Sequence, residues 1–584
     1  MAIWKQRLQF GYDNGLQSPE IVKLPGLIQR LLLARGLDQD QMSKVLNPKL
    51  SLLADPLTIL GMDQAVTRLI RAYKNNEKIC IYADFDLDGA SGLAILKDGF
   101  ENLGFKEISF YQPKRLSEGY GFHPHAVEEL HHLGIQLIVT VDVGITSHAA
   151  FDKARELGLD VILTDHHLPS ETLPHAYCVV NPNQKDCTSG LKYLCGAGVA
   201  FYLIRALKRA FSEDNQLPHY DWDLKDLLDL FCIGTLTDMV PLVDDNRVLV
   251  KHGMVVLQNT KRPGLKALLT ALDLSNRVLS SQDVSIKFAP KLNALSRMES
   301  NILPVHIYLE KDMKKAEQMV DQILQNNTTR QSLQSDAEGK AFELLKNWTH
   351  EDFVFVSSKD FHRGVIGLIA TKLSQEFNRP AFVGSENSEG MIVGSSRLPS
   401  GHDSSLVEAL NSAGSFLNRF GGHSAAAGFE LHSYNTVNFI QSLTSYYESL
   451  KYNHKELEID FDTTALLSEI NPQFMKWYDH IGPYGVGFVT PILRFNNMII
   501  DRISELKGGH LKLQLIDGIS NVIDDQIVEI KKIDALLFSP SEKMRSAVSL
   551  GEKYDVLGEV QKNYFKNRET IQILIKDLKN ISIS

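Results

Sequence analysis

The stretch KICIYADFDLDG (residues 78–89) decides the reading of the fold. It opens with an apolar run, Ile79 to Ala83. It then passes at once into three carboxylates at alternate positions, Asp84, Asp86 and Asp88, closed by Gly89. An apolar run of this length bounded by a turn reads as a buried strand. Outward from it the pattern recurs. QLIVTVD (136–142) reads as a strand ending in Asp142, and DVILTDHH (160–167) as one ending in Asp165, His166 and His167. LFCIGTLTD (230–238) reads as one ending in Asp238. Helical stretches separate these runs, which predicts a parallel sheet covered on both faces over residues 56–300. Ligands of such sheets bind outside the carboxyl ends of the strands, so the acidic and imidazole groups are expected to share one crevice.

The 584 residues fit about four units at roughly 150 residues each. Residues 1–55 read as a helical lead-in carrying LPGLIQRLLLARG (24–36), and 301–350 as a long connecting helix. Residues 351–450 read as a second α/β unit, and 451–584 as short alternating strands forming a small β-barrel. The fold class is therefore α/β and multidomain, with a terminal barrel. Hydrophobic residues make up 43% and charged residues 23%, which excludes a disordered or collagenous chain. The formal net charge of −10 excludes a basic DNA-coating protein, but not an enzyme with a local basic groove. Cys80, Cys178, Cys187, Cys195 and Cys232 include no C-x-x-C pair, so buried free thiols are expected rather than zinc or disulfides. No apolar run serves as a signal peptide or membrane span, so the expected compartment is the cytoplasm, with no membrane partner.

A crevice lined by carboxylates repels itself unless cations neutralise it. Oxygen-rich sites with one or two imidazoles suit Mn²⁺ or Mg²⁺, and the number of ligands here allows two ions sharing a carboxylate. Two such ions activate water and stabilise the leaving oxygen of a phosphoryl group. The residues thus point to a two-metal phosphoester hydrolase. Asp84 to Gly89 also matches the opening of an EF-hand loop, but position 12 is Ile95 and the preceding run is a strand. No G-x-x-x-x-G-K-[ST] or G-x-S-x-G motif occurs, which argues against nucleotide-triphosphate and serine-hydrolase chemistry. His123, His125, His131 and His132 lie on a polar helical stretch and read as structural.

In order, ADFDLDG (83–89), VDVG (141–144), TDHH (164–167) and GTLTDMVPL (234–242) resemble the motif series of the DHH phosphoesterase superfamily. Within it the chain is similar to the bacterial single-stranded-DNA-specific exonucleases. That similarity adds PKRLSEGYG (113–121), FAPKLNALSRM (288–298), HRGVIGLIATKL (362–373), GSSRL (394–398) and FGGHSAAAGF (420–429). The resemblance implies a parallel-sheet DHH domain and a DHH-associated (DHHA1) domain joined by a long helix, with a terminal OB-fold. It implies that Asp88, Asp142, His166 and Asp238 ligate one ion and that Asp86 and Asp142, with Asp84, hold the second. His167 would contact the scissile phosphate and Asp165 would orient His166. Arg297, Ser395 and Arg397, with Gly421, Gly422 and His423, would bind substrate phosphate, Arg297 and Ser395 matching positions that hold a terminal 5′ phosphate. Two positions depart from the usual pattern: Ser296 stands where glycine is common, and Val489-Thr490 where Pro-Glu is common.

The implied activity is 5′→3′ exonuclease action on single-stranded DNA, releasing 5′-mononucleotides in recombination and repair. A helicase and a single-strand-binding protein are the implied partners. Strand-contact candidates are Arg115 and Tyr120 in the catalytic domain, and Lys512, Tyr564, Phe565, Lys566 and Arg568 in the barrel. The alternatives are a phosphodiesterase acting on short oligonucleotides or cyclic dinucleotides, and a replication scaffold without catalysis. Smaller relatives lack the long helix and barrel, and scaffolds lose metal ligands that are retained here.

Overall fold

The computed structural model of the chain describes residues 3–7, 21, 23–399, 401–450, 458–517, 522–523, 526–527, 531–540, 542–565 and 568–581. They form two compact units. One is Leu53–Asn453; the other joins Met1–Leu52 to His454–Ser584. Strand β1 (Ile3–Gln6) and the helices Gly26–Ala34 and Gln39–Leu46 open the chain and belong to the second of these.

The larger unit begins with a five-stranded sheet: β2 (Ile79–Ala83), β3 (Ile108–Tyr111), β4 (Leu137–Val141), β5 (Asp160–Thr164) and β6 (Cys178–Val180). The order is β3-β2-β4-β5-β6 and every pairing is parallel. The chain runs from β2 outward to β3, then returns past β2 to β4. The order therefore reverses between β2 and β4, and a crevice opens at their carboxyl ends. Both strands are buried along their whole length, which explains their unbroken apolar sequence.

LFCIGTLTD is not a strand. It lies in the helix Leu228–Asp238, whose residues 228–236 are all buried. That helix packs against the helices Leu87–Asn102, Gly196–Glu213 and Asp244–Gln258. A helix enclosed on every side is apolar all round, so its sequence loses the 3.6 period that distinguishes helix from buried strand. Asp238 still ends the element, with Met239 following in the left-handed region at φ 61°.

The 33-residue helix Met313–Leu345 connects this sheet to a second one and spans about 50 Å at 1.5 Å per residue. The second sheet contains β7 (Val354–Ser358), β8 (Ala381–Glu386), β9 (Met391–Arg397), β10 (Arg419–Gly422) and β11 (Ala426–His432) in the order β10-β11-β9-β8-β7. Period-two alternation sends Phe353 and Phe355 to one core and Val354 and Val356 to the other. The first core packs against Phe439 and Leu443 of a covering helix. The second packs against Ala337 and Ala341 of the long helix.

The smaller unit is built on β12 (Glu458–Phe461), β13 (Thr463–Thr464), β14 (Ile492–Leu506), β15 (His510–Asp517), β16 (Val522–Ile523), β17 (Gln526–Ile527), β18 (Lys532–Leu537), β19 (Lys553–Phe565) and β20 (Arg568–Asn580). Pairing in the order β13-β14-β15-β18-β20-β19, with β14 also pairing β19, curls the sheet into a partly closed barrel. The residues read as a separate lead-in pack into its core: β1 pairs with β12, and Leu27, Leu31 and Leu32 join Leu493, Phe495 and Leu513. All five cysteines are buried and free. Among the described residues no helix is long and apolar enough to cross a membrane.

Candidate metal centre

The crevice at the ends of β2 and β4 is assembled by backbone geometry. Asp86 caps the helix Leu87–Asn102, its Oδ1 accepting from the backbone N–H of Asp88 (2.8 Å) and Gly89 (3.0 Å). That cap places Asp88 in the first helical turn, buried. Asp88 in turn accepts from Gly196 N–H (2.6 Å) and Ala197 N–H (2.9 Å), at the start of the helix Gly196–Glu213. A second helix N-terminus therefore faces this carboxylate. Asp142 ends β4 in the left-handed region at φ 61°, a conformation Asp tolerates better than most residues. A Cβ on Gly196 would lie 2.4 Å from the Asp142 Cβ, so only glycine lets the two elements approach.

The ring of His166 meets these carboxylates. Its Nε2 lies 3.1 Å from Asp142 Oδ1, 3.6 Å from Asp238 Oδ2 and 3.9 Å from Asp88 Oδ2. Three sets of ligand atoms come within 4.8 Å of one another: Asp88, His166 and Asp238; Asp84, Asp86 and Asp142; and Asp142, His166 and His167. Asp142 and His166 are each shared between two sets. Asp84 Oδ1, Asp142 Oδ1, His166 Nε2 and Asp238 Oδ2 are buried and have no hydrogen-bond partner. Even the 3.1 Å approach of His166 to Asp142 lacks hydrogen-bond geometry. Buried polar atoms are normally satisfied. Four orphans directed into one crevice fit a divalent cation bound by oxygen and imidazole.

Electrostatics agree with the geometry. Burial pushes the carboxyls of Asp84, Asp88 and Asp142 well above the usual carboxylate range, and the neighbouring carboxylates push them further. The same causes raise Asp238 to about 6. Burial holds His166 down at about 4, aided by the charge of His167, which keeps the imidazole in its neutral, ligating form.

The partner of Asp165 differs from the expectation. Its Oδ1 accepts from the backbone N–H of His166 (2.7 Å) and His167 (3.1 Å), but the ring it holds is that of His167, at 2.7 Å from Nδ1. Burial opposes protonation of His167, yet the hydrogen bond and charge of Asp165 outweigh it and lift His167 to about 9. Burial would raise Asp165, but His167 and the backbone donors hold it below its usual range. Tyr120 approaches His167 Nδ1 at 3.3 Å. The backbone of the pair is fixed by Asn183 Nδ2 donating to His166 O (2.5 Å) and Asn181 Nδ2 donating to His167 O (2.9 Å). These asparagines, and Gly196, were not singled out from sequence. The Asn-Pro-Asn turn at 181–183 and the CGAG run at 195–198 were the signals for them.

Beside the carboxylates lies a group of arginines. Arg115 stacks over Phe85, 4.9 Å from its centroid. Arg397 and Ser395 share a face of β9, with Arg397 Nη1 donating to Ser395 Oγ at 2.9 Å. Arg297 Nη1 donates to Gly364 O at 3.1 Å, tying the first sheet's domain to the second's. Gly367 gives these side chains room: a Cβ there would sit 3.2 Å from Arg397 Nη2 and 3.3 Å from Ser395 Oγ. Burial, aided by the charges of Arg115, Arg330 and Arg397, lowers Arg297 to about 9. Arg330, on the long helix, is a member the sequence reading missed, because a lone arginine on a polar helix carries no motif.

The hairpin of Gly421, Gly422 and His423 adjoins Arg397, because Ala426 pairs with Arg397 across β11 and β9. Gly421, Gly422 and His423 lie on and after the exposed strand β10, where Gly422 at φ 141° shapes the turn to β11. His123 and His125 stack on each other beside Glu118. In the barrel, Lys512 pairs with Asp534 at 2.8 Å, Tyr564 is half-buried near Glu569, and Arg568 is exposed. Lys566 and the side chain of Phe565 lie outside the described residues.

Comparison with known proteins agrees along the whole chain. Family models match for the DHH family N-terminal domain (residues 78–235), the DHHA1 domain (351–449) and the RecJ OB domain (461–577). The single-stranded-DNA-specific exonuclease RecJ of Salmonella typhimurium is 31% identical over 600 residues, covering 98% of this chain and 99% of the relative. That of Bacillus subtilis is 30% identical over 564 residues, covering 96% and 68%. Among solved structures, RecJ of Thermus thermophilus in complex with Mn²⁺ superimposes with a TM-score of 0.80 at 25% identity, covering 99% of this chain and 80% of that one. An exonuclease RecJ bound to manganese gives 0.58 at 31% identity, covering 68% and 96%. With this identity over nearly its full length and all three domains matched in order, the chain belongs to the RecJ family of single-stranded-DNA-specific exonucleases.

Proposed function

We propose that this chain hydrolyses single-stranded DNA from its 5′ end, releasing 5′-mononucleotides, with two Mn²⁺ or Mg²⁺ ions held at the ends of β2 and β4. Asp88, Asp142, His166 and Asp238 hold one ion, and Asp84, Asp86 and Asp142 the other. The chemistry such a pair supplies is activation of water and neutralisation of charge on the phosphoryl oxygens.

The chain's own residues set the rest. Asp165 fixes the ring of His167 through Nδ1, leaving Nε2 to donate to an oxygen of the scissile phosphate. Arg297, Ser395 and Arg397 bind the terminal 5′ phosphate of the strand. The 5′→3′ polarity and the mononucleotide product are what the resemblance to the single-stranded-DNA-specific exonucleases implies. Tyr120, exposed beside His167, offers a ring on which the first base stacks. The barrel adds strand affinity through Lys512, Tyr564 and Arg568. A role in recombination and repair follows, in the cytoplasm, with a helicase or single-strand-binding protein supplying the single strand.

One observation carries this reading: four orphaned ligand atoms converge in a crevice flanked by arginines. The test is degradation of strands labelled at either end, with Mn²⁺ and with or without a 5′ phosphate. Early release of the 5′ label as a mononucleotide is expected, faster with the phosphate. Shortening from the 3′ end, or equal attack on blunt duplex, would refute it.

A further inference from the structure

Asp84, Asp86 and Asp142, proposed above to hold one of the two ions, are each fixed by a different device. Asp86 is a helix cap, and Asp142 sits in the left-handed region at the end of β4. Asp84 follows directly on β2, where the chain leaves the sheet. Its backbone N–H donates to Val141 O of β4 at 3.3 Å. Its carbonyl oxygen lies close against the helix Leu87–Asn102, where a Cβ on Gly89 would come within 2.5 Å of it. The donor to that oxygen comes from the other side, beyond β3: Gln112 Nε2 reaches it at 2.6 Å.

Gln112 is the residue after β3, whose ladder with β2 ends at the pair Tyr82 and Tyr111. Pro113 has no N–H with which to extend that ladder, so a side chain makes the link. Gln112 and Asp84 are both buried, at 9% and 4% exposure. The amide cannot be turned over, because Oε1 would then face Asp84 O, acceptor against acceptor. In the orientation it has, Oε1 is buried without a partner. A buried amide with an orphaned acceptor adds little to the fold. An apolar side chain in its place would release Asp84 O but remove the orphan, two costs of similar size. What the amide does supply is a fixed backbone for Asp84, whose Oδ1 is one of the orphaned ligand atoms.

Resting on the two-ion assignment proposed above, we infer that Gln112 is a positioning residue for the ion at Asp84. Through the carbonyl of Asp84 it holds that carboxylate against Asp86 and Asp142. Removing a group that orients a metal ligand commonly weakens metal binding by about 10- to 100-fold.

The test is Mn²⁺ binding to the full chain without DNA, followed by calorimetry, together with thermal melts in chelator. Gln112→Met keeps the length of the side chain and removes its amide. It should weaken one of two ions by about tenfold or more and the other far less. Its melting temperature in chelator should stay within about 2 °C of wild type. Combined with Asp84→Asn it should add little to the loss that Asp84→Asn causes alone, because it acts through Asp84. Unchanged Mn²⁺ affinities in Gln112→Met overturn the inference. So does equal weakening of both ions with a lower melting temperature in chelator, which would make Gln112 a brace of the sheet. An additive loss in the double variant overturns it too, by placing the effect elsewhere. Binding of a single ion by the wild-type chain would instead defeat the two-ion assignment itself.

Discussion

Two groups of buried charge in the larger unit behave in opposite ways. Around Arg262 the charges are closed among themselves. Its Nε donates to both carboxylate oxygens of Asp229 at 3.2 Å, Nη1 reaches Asp98, and Thr260 Oγ1 donates to Asp229 at 2.7 Å. Burial works against the charge of Arg262, but the two aspartates outweigh it and raise its pKa. Around Asp142 the carboxylates face one another with ligand atoms left over, and burial raises their pKa instead. Burial is common to both places; the partner is what differs. A closed group compensates its own buried charge and is costly to break, whereas an open one destabilises the fold until a ligand arrives.

The largest effect expected from this contrast is at Asp142. Asn tolerates the left-handed backbone, so Asp142→Asn tests charge rather than conformation. Exonuclease activity should fall by on the order of 10³ or more, since the shared ligand is lost. With chelator present the same variant should melt higher than wild type, because one repelling charge has gone. Wild-type turnover, or a lower melting temperature in chelator, would break the comparison.

At Asp229 the sign reverses. Asp229→Asn leaves Arg262 buried with half its compensation and should cost about 3 kcal/mol of stability, read from denaturant melts. Mn²⁺ should not restore it. A variant as stable as wild type would mean that the Arg262 group is not the closed network its hydrogen bonds describe.

The two groups also differ in how visible they are in sequence. Asp84, Asp86, Asp88, Asp142 and His166 could be read because buried parallel strands are short apolar runs, and the residue after each run must lie at the sheet's edge. Asp238 was placed correctly for the wrong reason. Its run is helical, and full burial erased the period that would have shown it. The scaffold around the carboxylates was not legible. Gly196 matters because of the distance to Asp142 across 54 residues, and Arg330 because of what the long helix packs against. Spacing along a chain carries no such information. Asp229 and Arg262 are also distant partners, and nothing in sequence distinguishes that closed pair from the open group.

The smallest effect expected is a pH dependence confined to the open group. Asp238 has its folded pKa raised to about 6, above the ordinary value of 3.8. The stability it contributes is therefore full below the ordinary value and is lost as pH rises through the folded one. In chelator, the wild-type chain should lose stability between pH 4 and about 6 relative to Asp238→Asn, whose side chain does not titrate. Mn²⁺ should remove that slope, since the ion replaces the proton as the neutralising charge. Asp229→Asn should leave the slope as it is, because Arg262 lies outside the open group. If Asp238→Asn and wild type share one pH profile in chelator, the charge at the end of that buried helix is already compensated, and the distinction between the open and closed groups fails at Asp238.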